Sequence, residues 1–365
     1  MNQFRYGHAA AENWLAAATA CREQMLPVPA GSSLGFLYVT DAIAQDMPLV
    51  LEYFRENTGV EHWVGTVGIG ICACGIEYYN QPAIAAMLGE FPENAFRVFD
   101  SVSSDLEEFE KRHGQWVAQS APYLGLVHAD PRNQSTERLI KAMAEETTTG
   151  FLVGGLASSR RQMYSYADAL TEGGLSGVLF SAAIPVVTRL SQGCSPIGPQ
   201  REITEAQRNI LIRVDDRPAL EVFKEDIGEV LARDLSRVGG YIFAALPIAG
   251  SDTGDYLVRN LIGIDPKNEL VAIGEMVSAG DPVMFCRRDA DTARADLRRM
   301  LGELKKPLTG RPRGGVYVSC LGRGASLFGS NSGELRLIRD ELGEFPLVGF
   351  YANGEISQDR LYGYT

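Results

Sequence analysis

A glycine-rich segment around one arginine carries the residue types that most clearly suggest chemistry. It runs Ser319-Cys-Leu-Gly-Arg-Gly-Ala-Ser-Leu-Phe-Gly-Ser-Asn331, between a predicted strand and a predicted helix. Backbone N–H groups at such a place favour an anion, and Arg323 could hold a carboxylate with two parallel hydrogen bonds. The segment lacks the Gly-Lys-Ser/Thr of a Walker A loop. We therefore predict an anion site at Cys320, Gly322, Arg323 and Gly324, against the alternative of a solvated arginine in a surface loop.

A second segment, Asn353-Gly354-Glu355, follows a later predicted strand and brings an amide and a carboxylate to its end. Together with Arg323 it could bind a zwitterion, because the arginine would take the carboxylate of the ligand and Glu355 its amine. The alternative is a turn that carries an exposed acid.

A third segment places an amide and a thiol in a loop with two glycines. It reads Ser191-Gln-Gly-Cys-Ser-Pro-Ile-Gly-Pro199, and its glycines permit close approach to the backbone. We predict that Gln192 and Cys194 line the ligand site. The alternative is a crossover between domains in which Cys194 is a small buried hydrophobic residue.

Signatures of catalysis are weak. Gly31-Ser-Ser-Leu-Gly35 matches the nucleophile-elbow pattern, but it precedes a strand, whereas an elbow lies between a strand and a helix. The four histidines show no metal-ligand spacing, and Cys72-Ala-Cys74 is too close for a CxxC pair. We expect no cofactor, no metal and no catalytic residue. An enzyme with Cys320 or Cys194 as its nucleophile is the alternative hypothesis.

These segments must be positioned by a unit that recurs three times along the chain. Each copy reads as strand, polar loop, helix, glycine and strand, over residues 35–67, 123–155 and 315–351. Open α/β sheets bind ligands at the carboxyl ends of their strands. The repeat therefore predicts a ligand site where the loops after the first strands gather.

Local signals set the expected helix ends. Asp46 and Ser135 are predicted N-caps, and Asn331 with Glu334 has the spacing of a capping box. Gly59 and Gly150, like Gly343 in the third copy, sit where a left-handed C-cap is expected. The first 25 residues have the apolar spacing of an amphipathic helix.

The segments between the second and third copies predict antiparallel strands. They are residues 176–188, 210–215 and 256–264, separated by turn signals, and Pro218 is expected to open a helix. We predict a mixed α/β fold of two related halves, with partly antiparallel sheets covered by helices as a layered sandwich. The predicted domains are 1–195 and 196–365.

Composition excludes several classes of function. The 365 residues are 45% hydrophobic and 22% charged, which is typical of globular proteins. Lys and Arg number 34 against 46 Asp and Glu, a net charge of -12, which argues against nucleic-acid binding. The longest uncharged apolar stretch, 63–76, is too short to span a membrane. Six scattered cysteines favour reduced thiols and a cytoplasmic setting.

Four motifs in this order resemble the FIST family, named for F-box and intracellular signal transduction proteins. They are Gln192-Gly-Cys-Ser-Pro-Ile-Gly198, Asp216-Arg-Pro-Ala-Leu220, Ser319-Cys-Leu-Gly-Arg-Gly324 and Gly349-Phe-Tyr-Ala-Asn-Gly-Glu-Ile356. The resemblance implies a FIST N half, a FIST C half and a sensory domain that binds small ligands, amino acids above all. The family's Cys-x-Gly-Arg-Gly falls on residues 320–324, and its Gly-Glu on Gly354 and Glu355.

From the residues and the resemblance together we predict a non-catalytic, small-ligand-binding sensory protein of signal transduction. The sequence holds no kinase, methyl-acceptor or F-box segment, so we expect output through a separate signalling protein. A scaffold that binds another protein is a further alternative, which a large exposed apolar patch would indicate.

Overall fold

The computed structural model describes residues 4–248 and 256–365. It has 28% helix and 36% strand in mixed, partly antiparallel sheets, which confirms the predicted mixed α/β class. The described residues divide into two compact units. Unit 1 holds the chain up to Ser191 together with 297–363 and Thr365, and unit 2 holds the described part of 192–296 together with Tyr364.

The elements were numbered in chain order. The first twelve strands are β1 (Phe4–Ala10), β2 (Leu34–Thr40), β3 (His62–Gly68), β4 (Gly70–Ala73), β5 (Ile76–Tyr79), β6 (Ala83–Gly89), β7 (Phe96–Val102), β8 (Leu124–Ala129), β9 (Leu152–Leu156), β10 (Ser165–Ala167), β11 (Leu170–Thr171) and β12 (Leu175–Phe180). The others are β13 (Cys194–Pro196), β14 (Arg201–Gln207), β15 (Ile210–Val214), β16 (Arg217–Pro218), β17 (Ile242–Pro247), β18 (Tyr256–Asp265), β19 (Leu270–Ile273), β20 (Pro282–Arg288), β21 (Gly315–Cys320), β22 (Leu347–Ala352), β23 (Glu355–Ser357) and β24 (Arg360–Tyr362). The helices are α1 (Trp14–Gln24), α2 (Met47–Thr58), α3 (Glu107–Ser120), α4 (Thr136–Glu145), α5 (Ala219–Ala232), α6 (Ala290–Lys305), α7 (Ala325–Phe328) and α8 (Gly333–Leu342), with short 3-10 turns at Asp41–Asp46 and Leu235–Arg237.

Unit 1 contains three sheets. Their strand orders are β1-β6-β2-β3-β10-β11, β24-β23-β9-β8-β12-β7 and β21-β22-β4-β5. Each sheet has one parallel pair, namely β2–β3, β8–β9 and β21–β22. These pairs are the strands of the three predicted copies, which we call repeat 1 (β2-α2-β3), repeat 2 (β8-α4-β9) and repeat 3 (β21-α8-β22).

A glycine in the second strand of each repeat explains why the three copies share one geometry. A Cβ atom on Gly65, Gly154 or Gly349 would collide with a backbone carbonyl of the first strand. The carbonyls belong, in the same order, to Leu37, Val127 and Tyr317. The shared Val-Gly pair in these strands therefore marks a close strand approach that only glycine permits.

The faces of the three sheets that point away from the helices share one apolar core. Phe36 of β2, Leu126 of β8 and Phe350 of β22 are among its buried members. On the opposite faces, α1 and α2 pack on the first sheet and α3 and α4 on the second through separate apolar clusters. Alternate residues of each central strand thus point into two different layers.

Unit 2 is a closed antiparallel barrel. Its strands follow the order β20-β14-β15-β19-β18-β17, and β17 pairs again with β20. The apolar core of the barrel is built from these strands and α5, with Phe223 and Phe285 in edge-to-face contact at 4.8 Å between ring centroids. Closure leaves no free edge between these six strands.

Several local expectations need correction. Residues 4–10 form strand β1, paired with β6, where the apolar spacing predicts only a helix. The strand expected over 176–188 is β12 and ends at Phe180, because the chain turns there and the Ile184 backbone N–H donates to the Ser181 carbonyl at 3.1 Å. Asp46 and Ser135 occupy the N-cap positions without side-chain capping bonds. Glu334 does not complete a capping box, because its carboxylate binds Arg323.

The division into domains 1–195 and 196–365 stays a prediction. The two compact units are not two consecutive stretches of the chain, because β22 pairs with β4 and β23 pairs with β9. These ladders place residues 297–363 in the same unit as the N-terminal part of the chain.

Candidate ligand site

Repeat 3 differs from the other two repeats on its helix-facing side. In repeats 1 and 2 the helix-facing strand positions are apolar, namely Leu37, Val39 and Val67, and Val127, Ala129 and Leu156. At the same register positions repeat 3 carries Tyr317, Ser319 and Tyr351. The layer under α8 is therefore a buried polar cluster where the other repeats have a hydrophobic core.

Glu334 of α8 organises this cluster. Its Oε1 accepts hydrogen bonds from the Tyr317 hydroxyl at 2.8 Å and from Nε of Arg323 at 2.7 Å. Its Oε2 accepts from the Ser319 hydroxyl at 3.1 Å and from the Gly324 backbone N–H at 3.0 Å. Four donors satisfy the buried carboxylate and hold it in one orientation.

Arg323 is held by Glu334 through Nε alone. Its side chain is 1% exposed, and its guanidinium lies over the Phe328 ring at 5.0 Å from the centroid. Burial acts to lower the pKa of Arg323, but the Glu334 carboxylate keeps it above its ordinary value. Neither Nη1 nor Nη2 has a hydrogen-bond partner among the described residues. The guanidinium of Arg323 therefore has two buried N–H donor groups, Nη1 and Nη2, that a ligand could use.

Glu355 supplies the opposite charge. It is the first residue of β23, paired with Gly155 of β9, and it is 3% exposed. Its Oε2 accepts from the Thr365 backbone N–H at 3.1 Å and hydroxyl at 2.8 Å, while Oε1 has no hydrogen bond within the described part of the chain. Burial raises the pKa of Glu355 to about 7, and Thr365 and Arg323 act against that rise.

The other residues predicted in this region hold the two charged groups in place or lie outside the cluster. Cys320 is buried, donates its backbone N–H to Thr365 at 3.0 Å and accepts the Gly322 N–H at Sγ at 3.4 Å. Gly324 has a φ of 54°, which suits glycine, and a Cβ there would collide with the Tyr79 hydroxyl. Gly354, with a φ of 131°, makes the turn before Glu355. Asn353 is exposed.

Gln192 and Cys194 belong to unit 2, whereas the cluster lies within unit 1. The Gln192 backbone N–H donates to Asp296 at 2.7 Å, and its side chain donates to the Tyr256 carbonyl at 3.0 Å. Cys194 is buried in an apolar cluster with Cys286. Both residues thus make these contacts within unit 2, and their place in the ligand site stays a prediction.

Sequence reasoning missed five members of the polar cluster: Tyr317, Ser319, Glu334, Tyr351 and Thr365. A signal for three of them was present in the repeat. When the three copies are aligned on their Val-Gly pairs, only the third has polar residues at the helix-facing positions of its strands. Glu334 gave no separate signal, because its spacing from Asn331 also suits a capping box.

The arrangement can bind a ligand that carries both a negative and a positive charge. A guanidinium fork and a carboxylate can hold the two ends of a zwitterion. Cys320 and Cys194 are both buried, whereas reactive thiols sit in electropositive, partly exposed surroundings.

No group of His, Cys, Asp and Glu in the described ranges is arranged to hold a metal ion. No described helix is long and apolar enough to cross a membrane.

Comparison with known proteins now identifies the family. The FIST N domain model matches residues 33–217, and the FIST C domain model matches residues 219–358. The chain belongs to the FIST family. FIST domains are sensory domains of signal transduction proteins.

Two mycobacterial relatives extend the comparison over most of the chain. The uncharacterized protein Rv0628c of Mycobacterium tuberculosis is 33% identical over 318 residues, which cover 83% of this chain and 81% of that protein. The uncharacterized protein Mb0898c of Mycobacterium bovis is 32% identical over 263 residues, or 68% of this chain and 67% of that protein. Their names assign no ligand.

Proposed function

We propose that this FIST protein is a non-catalytic sensor that binds a free amino acid in the polar cluster of repeat 3. Arg323 binds the carboxylate of the ligand, Glu355 binds its ammonium group, and the bound state is read by a separate signalling protein. We also propose that the protein works in the cytoplasm. The absence of disulfides among its six cysteines supports that setting.

The observation that carries the proposal is the pair of unused donors on buried Arg323. Buried polar atoms nearly always have hydrogen-bond partners, and each exception calls for a reason. Leaving a charged donor unsatisfied in the interior costs about 1–3 kcal/mol or more. A ligand carboxylate would satisfy Nη1 and Nη2 together in a bidentate pair.

Glu355 supports the same ligand class. Its Oε1 is unsatisfied, and its raised pKa reports a carboxyl group that burial disfavours in the ionised form. An ammonium group beside Oε1 would supply both a donor and a compensating charge. A single ligand with a carboxylate and an ammonium group would therefore supply the missing partners of both Arg323 and Glu355.

The test is binding of amino acids to the whole protein. Thermal shift over a panel of amino acids selects a ligand, and calorimetry then compares it with its carboxamide and its N-acetyl derivative. We expect both derivatives to bind at least about tenfold more weakly than the parent, because each loses one charged contact. A panel without any binder would refute the proposal.

Arg323→Lys tests whether the ligand needs the planar pair of guanidinium donors or only a positive charge. Lysine keeps a cation beside Glu334 but cannot offer the same planar pair of donors, so affinity should fall at least about tenfold. Arg201→Lys is the matched control, because Arg201 makes a comparable pair with buried Asp226 in unit 2. Equal affinity of wild type and Arg323→Lys would show that Arg323 does not bind the ligand.

A further inference from the structure

A second group of unsatisfied polar atoms lies beside Gly324, the residue that follows Arg323, on the same helix-facing side of the sheet. Glu77 and Tyr79 belong to β5, and Tyr351 belongs to β22. Oε1 of Glu77 and the hydroxyl of Tyr351 are buried without a hydrogen bond of normal geometry in the described ranges. Tyr351 itself is completely buried. The proposed function assigns no ligand contact to Glu77, Tyr79 or Tyr351.

The three side chains face one another. The rings of Tyr79 and Tyr351 lie 5.0 Å apart between centroids, and the Tyr79 hydroxyl lies 3.4 Å from Oε2 of Glu77. The Tyr351 hydroxyl is near enough to Glu77 to lower its pKa against the effect of burial. We call Glu77, Tyr79 and Tyr351 the outer cluster.

The outer cluster is continuous with the Arg323 site. A Cβ atom on Gly324, the residue after Arg323, would meet both the Tyr79 hydroxyl and the ring of Tyr351. Glu77 and Tyr79 are partly exposed, whereas Arg323 is not. The outer cluster thus extends from the enclosed charged site toward solvent.

The chemistry of the outer cluster suits a cation. Burial, and to a smaller extent the charge of Glu334, raises the pKa of Glu77 to about 7, while Arg336 of α8 opposes that rise. A cation beside Glu77 would favour its ionised form. Aromatic rings contribute further attraction for an ammonium or guanidinium group.

We infer that the outer cluster binds the side chain of the ligand and that this side chain carries a cation. The inference rests on the proposed function, since Arg323 and Glu355 hold the backbone groups of the same molecule. The ligand class is then a basic amino acid, with its amine or guanidine between the carboxylate of Glu77 and the rings of Tyr79 and Tyr351.

Calorimetry with L-lysine and L-norleucine tests the inference on the whole protein, because the two have side chains of similar length but only lysine has a terminal cation. We expect lysine to bind at least about tenfold more tightly, as for a hydrogen bond to a charged group. Glu77→Gln should abolish that preference, because lysine loses the carboxylate that faces its terminal cation. Tyr351→Phe should reduce the preference for lysine without abolishing it.

Glu303→Gln is the matched control, because Glu303 is a partly exposed, ion-paired glutamate of unit 1; it should keep the full preference for lysine. Equal binding of lysine and norleucine by wild type would overturn the inference and leave the proposed function standing. An unchanged preference in Glu77→Gln would likewise overturn it. Failure of both compounds to bind would count against the proposed function as well.

Discussion

At the scale of single residues, the buried ion pair of Arg323 and Glu334 carries a large free-energy penalty of desolvation. Both side chains are excluded from solvent, and desolvation of two charges can exceed their mutual attraction. A well-packed apolar pair would be at least as stable at this position. The structure of repeats 1 and 2, where the same layer is apolar, shows that the fold does not require the charges.

This reasoning predicts the effect of removing Glu334. In Glu334→Gln, Arg323 stays buried without its counter-charge, so we expect the free energy of unfolding to fall by about 3–5 kcal/mol. Glu303→Gln, which breaks ion pairs nearer the surface, should cost about 0–1 kcal/mol. Urea denaturation measures both. Equal losses in the two variants would contradict the assignment of Arg323 as a buried cation that depends on Glu334.

A double variant distinguishes a structural role from a ligand-binding role. Arg323→Met combined with Glu334→Leu replaces both charges by apolar side chains, and we expect it to recover most of the stability that Glu334→Gln loses. It should nevertheless bind none of the amino acids that wild type binds. Ligand binding by a stable double variant would show that the pair serves the fold alone.

The pKa of Glu355 predicts a pH dependence of stability. Burial raises this pKa from 4.5 to about 7 in the folded protein, so the folded state binds more protons than the unfolded chain between these values. The contribution of Glu355 to the free energy of unfolding is therefore favourable at low pH and is lost as pH rises through 7.

Glu355→Gln isolates this contribution, because glutamine cannot ionise. Between pH 5 and pH 8 the wild type should lose about 2–3 kcal/mol more unfolding free energy than the variant. Urea denaturation at the two pH values gives the difference. Parallel pH profiles for wild type and Glu355→Gln would show that the carboxyl group of Glu355 is not perturbed by burial.

At the scale of elements, the glycine opposite the first strand is what the three repeats have in common. Gly65, Gly154 and Gly349 occupy the same register position in their parallel pairs. In repeat 3 this close approach brings β22, and with it Tyr351, alongside Tyr317 and Ser319 of β21. The polar cluster therefore depends on a backbone contact as well as on its own side chains.

Gly349→Ala tests that dependence. Its Cβ would overlap the Tyr317 carbonyl oxygen, and relief would require separation of the two strands, so we expect a loss of about 3 kcal/mol or more. Gly302→Ala is the control, because a Cβ at Gly302 in α6 meets no atom within 4 Å and alanine stabilises a helix interior by about 1 kcal/mol. A harmless Gly349→Ala would contradict the observed strand approach.

At the scale of the whole molecule, the chain leaves unit 1 after Ser191 and returns to it at Leu297. The described residues between these points close a barrel with its own apolar core. A compact unit with its own apolar core can in principle fold alone. The segment 192–296 therefore has the properties of an inserted domain.

Expression of residues 192–296 by themselves tests this interpretation. We expect a soluble fragment with the circular dichroism of antiparallel sheet and one cooperative thermal transition. Tyr364 packs on the barrel from outside this segment, with its ring 4.3 Å from that of Phe243, so a moderate loss of stability relative to the whole protein is expected. A fragment without a cooperative transition would contradict independent folding.

Much of the architecture was predictable from local pattern. The three repeats, the helix that follows Pro218 and the left-handed C-cap at Gly59 are present. These features depend on periodicity and on backbone preferences of glycine and proline, which act within a few residues. Gly343 ends α8 with a φ of 80° and a ψ of 177°, which is not the expected left-handed helical conformation. Gly150 is not a C-cap, because α4 ends earlier and its C-cap is Glu146. Strand β1 was missed because its pairing with β6 depends on residues about 80 positions away.

The sequence by itself determined the fold class, the family and the two charged residues of the candidate site, because glycine-flanked Arg323 and Glu355 stand out by residue type alone. Only the tertiary structure decided that Glu334 restrains Arg323, that Tyr79 and Tyr351 lie next to Gly324, and that Gln192 and Cys194 fall in another unit. The physical reason is strand pairing. The ladder between β22 and β4, and then β5, joins residues almost 280 positions apart, and no local preference encodes such a neighbour.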